Sequence, residues 1–250
     1  DKKIKKSDKR LYLLDFSGDI QATQTEQLRK EIDLLLSIAN PENDQVFIRL
    51  ESRGGTITGY GLAASQVDRI RQAGFYLTIS IDQIAASGGY LIASIAHKII
   101  AAPFACIGSI GVVHEQPNMH QLLQKCGIKY QQVTAGKHKR TLSPFTEETA
   151  QAKEKVQEDV NLVHQLFQQH ISQYRQIDVE TVATGETWPA ITAKEYGLVD
   201  DIATSDTMLM ETMKDHLVMH ITTHKKKSFV KSLFAQATQL ICNTGSDLDY

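Results

Sequence analysis

Residues 76–90 read YLTISIDQIAASGGY, a β-branched run that ends in a turn of one serine and two glycines, Ser87-Gly88-Gly89. The run predicts a strand over 76–81, and the apolar residues after the glycines predict a helix. The same order occurs upstream. Gln45 to Leu50 predicts a strand, Glu51-Ser52-Arg53-Gly54-Gly55 a turn, and Ile57 to Ala73 a helix. Before that, Leu11 to Phe16 predicts a strand and Thr23 to Ile38 an amphipathic helix with Leu28, Ile32, Leu35 and Leu36 on its apolar face. Lys98 to Ala102 is again strand-like. Repetition of strand, glycine turn and helix predicts an α/β domain with mostly parallel strands.

Beyond this region the pattern changes. Phe145 to Tyr174 predicts one long polar helix whose apolar stripe is Val156, Val160, Val163 and Phe167. Such a helix crosses the domain or packs on a neighbouring subunit. TAKEYGLVDDI (192–202) reads as helix, glycine stop and strand, and Thr204 to Lys214 as a further helix. The expected organisation is a basic flank over 1–10, an α/β domain over 11–222 and a loosely attached tail over 223–250.

The chain has 250 residues, 42% of them hydrophobic and 22% charged, with a formal net charge of -2. This balance gives no electrostatic footprint for nucleic acid. Cys106, Cys126 and Cys242 are too few and too scattered for a disulfide framework or a zinc site. His216, His220 and His224 are four apart, but the intervening residues are β-branched and read as a strand, so no metal and no cofactor is expected. No apolar run approaches the ~20 residues that span a bilayer. The opening DKKIKKSDKR is either a solvated start or the flank of a membrane anchor lying before Asp1.

Ser87 is the first candidate for chemistry. A serine at a strand-to-helix turn projects its hydroxyl from the sheet edge, beside N–H groups that the helix leaves unpaired. Gly88 has no side chain, so a substrate can approach its N–H, which becomes one donor to an oxyanion. Taken alone, the segment reads first as a serine that caps a helix, a common arrangement, and the catalytic reading needs support. The Gly54-Gly55 turn adds weight, because parallel units align their strand ends along one edge. That pair offers a second donor.

A serine nucleophile also needs a base. None of the nine histidines lies in a turn that obviously meets Ser87. The basic loop Gly136-Lys137-His138-Lys139-Arg140 follows a predicted strand over Lys129 to Val133. A lysine serves only as the neutral amine, which requires desolvation or a neighbouring cation. Spacing does not choose among Lys137, His138 and Lys139.

Eight separated motifs then coincide with one known pattern: LDFSGDI, RLESRGG, GYGLAASQ, AASGGYLIA, APFACIGSIGV, TAGKHKRTLSPF, VATGETW and YGLVDDI. Over Leu11 to about Met219 the chain resembles the SohB branch of the signal-peptide-peptidase A family of Ser–Lys proteases. The resemblance implies a ClpP/crotonase-like fold of repeated β-β-α units with a long C-terminal helical region. It puts the nucleophile on Ser87, the general base on Lys139 and the oxyanion donors on Gly54, Gly55 and Gly88. Ser109, in the IGSIG motif, falls on the serine that orients the lysine. It further implies peptide or unfolded-protein substrates such as signal peptides, a homo-oligomer, and a place at the bacterial inner membrane facing the periplasm. A crotonase-type CoA enzyme and a non-catalytic protein-binding scaffold are the alternatives. One departure stands out, since the family turn usually reads Ser-Pro-Gly-Gly and here Arg53 replaces the proline.

Overall fold

The computed structural model of the protein describes residues 9–136 and 138–223. The chain begins with β1 (Arg10–Gly18), α1 (Thr25–Ile38), β2 (Gln45–Ser52), α2 (Ile57–Gln72) and β3 (Tyr76–Ile81). It continues through β4 (Ile84–Ala86), α3 (Gly88–Ala93), β5 (Lys98–Ala101), β6 (Cys106–Gly108) and α4 (His120–Lys125). The long helix α5 (Ala150–Tyr174) follows, then α6 (Val179–Val182), β7 (Thr187–Pro189), α7 (Ala190–Glu195), β8 (Asp201–Ile202), α8 (Ser205–Thr212) and β9 (Leu217–His220).

The strands form one sheet of order β7-β6-β4-β2-β3-β5-β8, with β1 beside β2 and β9 beside β1. All described pairings are parallel except β6 with β7. This is the expected α/β class with a mostly parallel sheet. β1 and β2 run together from Leu11↔Gln45 to Gly18↔Ser52, whereas β3 leaves β2 at Arg49↔Ser80. At the far end of β2, Ser52 instead pairs with Ala85 of β4. That exchange of neighbours brings the turn after β4 against the turn after β2.

Period-two alternation decides the packing. Tyr12, Leu14 and Phe16, with Val46, Ile48, Leu50, Leu77, Ile79 and Ile81, face a core closed by Leu28, Ile32 and Leu35 of α1 and by Val67 and Ile70 of α2. On the opposite face Leu11, Leu13, Phe47 and Ile100 meet Leu209 of α8. Leu36 only packs partly buried against the main core.

Some expectations need correction. Residues 129–133 form no strand, and that stretch is exposed apart from partly buried Gln132. With no strand beside it to take its backbone groups, the β-rich composition does not decide the structure. The long helix begins at Ala150 rather than Phe145, because the Thr149 hydroxyl accepts the Ala152 N–H and caps it there. Its buried residues are Phe167 and Ile171 at the C-terminal end, while Val156, Val160 and Val163 are only half-buried. Residues 1–8 and 224–250, which carry most of the expected flank and tail as well as His224 and Cys242, lie outside the described residues.

Two polar contacts fix the C-terminal end of α5. Arg175 binds both carboxylate oxygens of Asp200 at 2.9 and 2.8 Å and the Gly197 carbonyl at 2.7 Å. Asp200 in turn accepts the Ile99 N–H of β5 at 2.7 Å. Nearby, His170 Nε2 lies 3.0 Å from the Leu91 carbonyl, and burial moves its ring away from the charged form.

Ile48 lies in β2 between β1 and β3 and is 0% exposed. Ile48→Ala should lower stability by about 2–5 kcal/mol, from lost transfer energy and the cavity left behind. Urea unfolding followed by circular dichroism measures it, and a loss below about 1 kcal/mol would contradict this packing.

Candidate active site

Ser87 joins β4 to α3 with φ 53° and ψ −121°, a conformation that costs a non-glycine residue about 1–3 kcal/mol. It is held by its own N–H, which donates to the Gly108 carbonyl at 2.8 Å, and by its carbonyl, which accepts from Leu91 N–H at 3.0 Å. Although Ser87 occupies the capping position, its side chain makes no capping bond. The hydroxyl is left for the cavity beside it.

The neighbouring strand repeats this turn. Ala86 of β4 pairs with Gly108 of β6, so Ser87 and Ser109 follow paired residues in adjacent parallel strands. Ser109 also has positive φ, at 50°, and its N–H donates to the Glu186 carbonyl at 2.6 Å. Both serines line a cavity of about 670 Å³.

The two glycine turns are in contact. A methyl at Gly54 would lie 2.7 Å from the Ser87 Cβ, 2.7 Å from the Gly88 nitrogen and 2.8 Å from the Ala86 carbonyl oxygen. Gly54 also has φ +84°, so no side chain fits there without strain. Its N–H is already committed to Ser52 Oγ at 3.1 Å. Gly55 differs, for it lines the cavity and its N–H has no hydrogen-bond partner among the described residues. The Gly88 N–H, at the first turn of α3, is likewise without a partner among them. Between the two glycines of the first turn, the geometry therefore leaves only Gly55 with a free donor.

Beneath the turns sits Tyr60 of α2, which is 1% exposed. A methyl at Gly88 would lie 2.3 Å from its ring. Its hydroxyl donates to the Asp19 carbonyl at 2.8 Å and lies 2.5 Å from Ser52 Oγ. Burial pushes the phenol pKa up, so it stays a protonated donor.

The far wall belongs to α5 and the loop after α6. Gln157, Val160, Asn161 and His164 line the cavity from one face of the helix, and Thr184 and Gly185 complete it. His164 Nε2 is buried without a hydrogen-bond partner among the described residues. Sequence reasoning missed these groups, as well as the support by Ser52 and Tyr60. A polar i, i+4, i+7 stripe resembles a solvated helix face, and only the fold turns it toward Ser87.

Lys139 is exposed in a turn where its N–H donates to the Gly136 carbonyl at 3.1 Å, and it is not among the residues lining the cavity. Residues 111–149 around it have Ser143 as their one buried residue among those described. His138 is exposed in the same turn, and Lys137 lies outside the described residues. The structure thus brings Ser87, Gly54, Gly55, Gly88 and Ser109 together and leaves Lys139 outside the group.

Comparison with known proteins gives this serine cavity a family. Peptidase family S49 matches residues 69–219, and its N-terminal part, Peptidase family S49 N-terminal, matches residues 1–67. A "Probable protease SohB" from Haemophilus influenzae is 45% identical over 234 residues, covering 93% of this chain and 66% of that protein. A "Probable protease SohB" from Buchnera aphidicola subsp. Acyrthosiphon pisum is 44% identical over 242 residues, covering 96% of this chain and 72% of that protein. The "Putative protease MJ0651" of Methanocaldococcus jannaschii is 27% identical over 190 residues, covering 74% of this chain and 61% of its own. This chain therefore spans about two thirds of the Haemophilus protein's length. With both segments matched in order and nearly the whole chain aligned, the chain belongs to peptidase family S49.

Proposed function

We propose that the chain is a serine endopeptidase that hydrolyses peptide bonds through a Ser87–Lys139 dyad. The observation that carries this is the strained Ser87 turn, with a hydroxyl free of capping duty on the cavity and two backbone donors, Gly55 and Gly88, that have no partner among the described residues. Neutral Lys139 takes the Ser87 proton as Oγ attacks the scissile carbonyl carbon. The oxygen gains charge and is stabilised by the N–H groups of Gly55 and Gly88. The C–N bond then breaks, and the lysine ammonium protonates the leaving amine. Water, deprotonated by the same lysine, releases the acyl product.

For this chemistry the loop carrying Lys139 moves from its exposed position onto the cavity, where the Ser109 hydroxyl accepts a hydrogen bond from the amine and fixes its direction. A hydroxyl orients the lysine without adding a counter-charge that would raise its pKa. Within this proposal the fold is of the ClpP/crotonase type and the substrates are short or unfolded chains, signal peptides among them. An extended chain fits beside the cavity backbone at Gly111 to Val113, where β-type pairing gives affinity without reading side chains. Assembly into a homo-oligomer and attachment to the periplasmic side of an inner membrane belong to the same proposal. No described helix is long and apolar enough to cross a membrane.

His164 supports a second choice of base, because it lies in the cavity wall where Lys139 does not. The two differ in their tests. With the lysine as base, Lys139→Ala lowers kcat for a fluorogenic peptide about a thousandfold or more, as Ser87→Ala does, and a fluorophosphonate probe labels only Ser87. Retained activity in Lys139→Ala with loss in His164→Ala would transfer the role to the histidine. Loss in Lys137→Ala alone would transfer it to that lysine. Absence of probe labelling in protein that turns over would favour the CoA-enzyme chemistry of a crotonase, and absence of any Ser87-dependent cleavage would leave a scaffold.

The packing of the two turns yields a separate expectation. Gly54→Ala forces a side chain into positive φ, at about 1–2 kcal/mol, and drives a methyl into the Ser87 turn. Peptidase activity should fall at least about tenfold and the melting temperature should drop. Unchanged activity would show that the contact between the turns is dispensable.

A further inference from the structure

We propose that the hydroxyls of Ser52 and Tyr60 are positioning groups for the oxyanion hole, acting as a one-way hydrogen-bond chain beneath the Gly54-Gly55 turn. The inference rests on the acyl-transfer reading above and deepens it.

Proton accounting gives the chain its direction. The Tyr60 hydroxyl has a single proton, and the Asp19 carbonyl at 2.8 Å takes it. At the 2.5 Å contact with Ser52, Tyr60 must then accept, so the Ser52 hydroxyl donates. The Ser52 oxygen is left to accept from the Gly54 N–H at 3.1 Å. The Gly18 carbonyl, 3.4 Å from Ser52 Oγ, is a longer and weaker alternative acceptor. The chain therefore runs Gly54 N–H, Ser52 O–H, Tyr60 O–H, Asp19 C=O, with every donor used once. Bonds aligned in this sense polarise one another in a buried setting.

The chain fixes one side of the peptide that matters. The Gly55 N–H belongs to the peptide plane between Gly54 and Gly55. On one side of that plane Gly54 is held at φ +84° with its own N–H on Ser52. On the other side the Thr56 N–H donates to the Ile20 carbonyl at 2.8 Å, and a methyl at Gly55 would lie 2.0 Å from that same oxygen. Asp19 and Ile20 thus secure both ends of the turn from one loop. That loop is itself closed by the Asp19 carboxylate, which accepts the Thr23 N–H at 2.8 Å and the Thr23 hydroxyl at 2.7 Å.

Tyr60 also reaches the second donor. Its ring lies directly under Gly88, close enough to exclude a methyl there. One side chain consequently supports both halves of the oxyanion hole, with its hydroxyl on the Gly55 side and its ring on the Gly88 side. Neither Ser52 nor Tyr60 lines the cavity, so their effect is confined to how well the two N–H groups converge on the developing charge.

Steady-state kinetics on the full chain test this with Tyr60→Phe, which keeps the ring and deletes the hydroxyl, with Ser52→Ala, and with the double variant. Each single change should lower kcat about 10- to 100-fold with KM nearly unchanged, because the donors remain but are misaligned in the transition state. Affinity for a peptide aldehyde, whose adduct carries the oxyanion, should fall by the same factor. The double variant should be no worse than the poorer single one, since both cut the same chain. Ser52→Cys, which keeps the volume but accepts poorly, should reproduce the loss if Ser52→Ala unfolds the protein. Wild-type kcat in either single variant, a change in KM alone, or additive losses would overturn the proposal. Ser87→Ala measured in parallel separates the two levels: cleavage by that variant removes the acyl-transfer reading itself. An inert Ser87→Ala beside a fully active Tyr60→Phe removes only the hydroxyl chain.

Discussion

Two backbone turns lie closer together at the edge of this sheet than any side chain would allow, and the rest of the cavity is arranged around that contact. Gly54 sits where a methyl would meet the Ser87 Cβ, the Gly88 nitrogen and the Ala86 carbonyl. The approach is possible because β2 changes partner along its length, from β3 to β4, so that turns from two units reach one place. Glycine here supplies absence of volume as much as freedom of φ. Tyr60 fills the space beneath the contact, and the burial of its ring helps to hold the turns against each other.

Strain is stored on the same edge. Ser87 and Ser109 both adopt positive φ, and each is restrained by an N–H bond to a carbonyl of a neighbouring segment. Their relation follows from the register of β4 with β6, since Ala86 and Gly108 are paired. A serine free to relax would turn its hydroxyl toward the helix and cap it. Holding the backbone away from that minimum keeps the oxygen pointed at the cavity. This is how unfavourable local geometry persists when its surroundings over-determine it.

Much of the sheet was legible because its strands are short, β-branched and punctuated by glycines, and β3 has the bounds its pattern predicts, 76–81. The meeting of the Ser87 and Gly54-Gly55 turns could be anticipated from their equivalent places in successive units. What the glycines do individually could not, because Gly54 and Gly55 look alike in sequence and only the Ser52 bond separates their roles. Strands β6 and β7 have three residues each and too little pattern to announce themselves. The segment 129–133 erred the other way, with strand-like composition but no neighbour to pair with. Arg53 stands in the same turn, where the resembled family usually has proline. The turn's Gly54 N–H is bonded to Ser52 Oγ, which in turn contacts the Tyr60 hydroxyl 8 residues along, a contact that no local sequence pattern announces.

The attachment of α5 has a mechanical corollary. The helix is anchored by Arg175, through Asp200 and the Gly197 carbonyl, and by buried Phe167 and Ile171, while Gln157, ten residues before Phe167, belongs to the cavity wall. At 1.5 Å per residue that is an arm of about 15 Å. A tilt of about 5° at the anchor would move Gln157 by only about 1.3 Å and His164 by about a third of that, so the wall is stiff near His164 and softer toward Gln157. The wall facing Ser87 is thus carried by the part of α5 that buries none of its residues, and its anchorage lies in the core and in an ion pair that does not line the cavity.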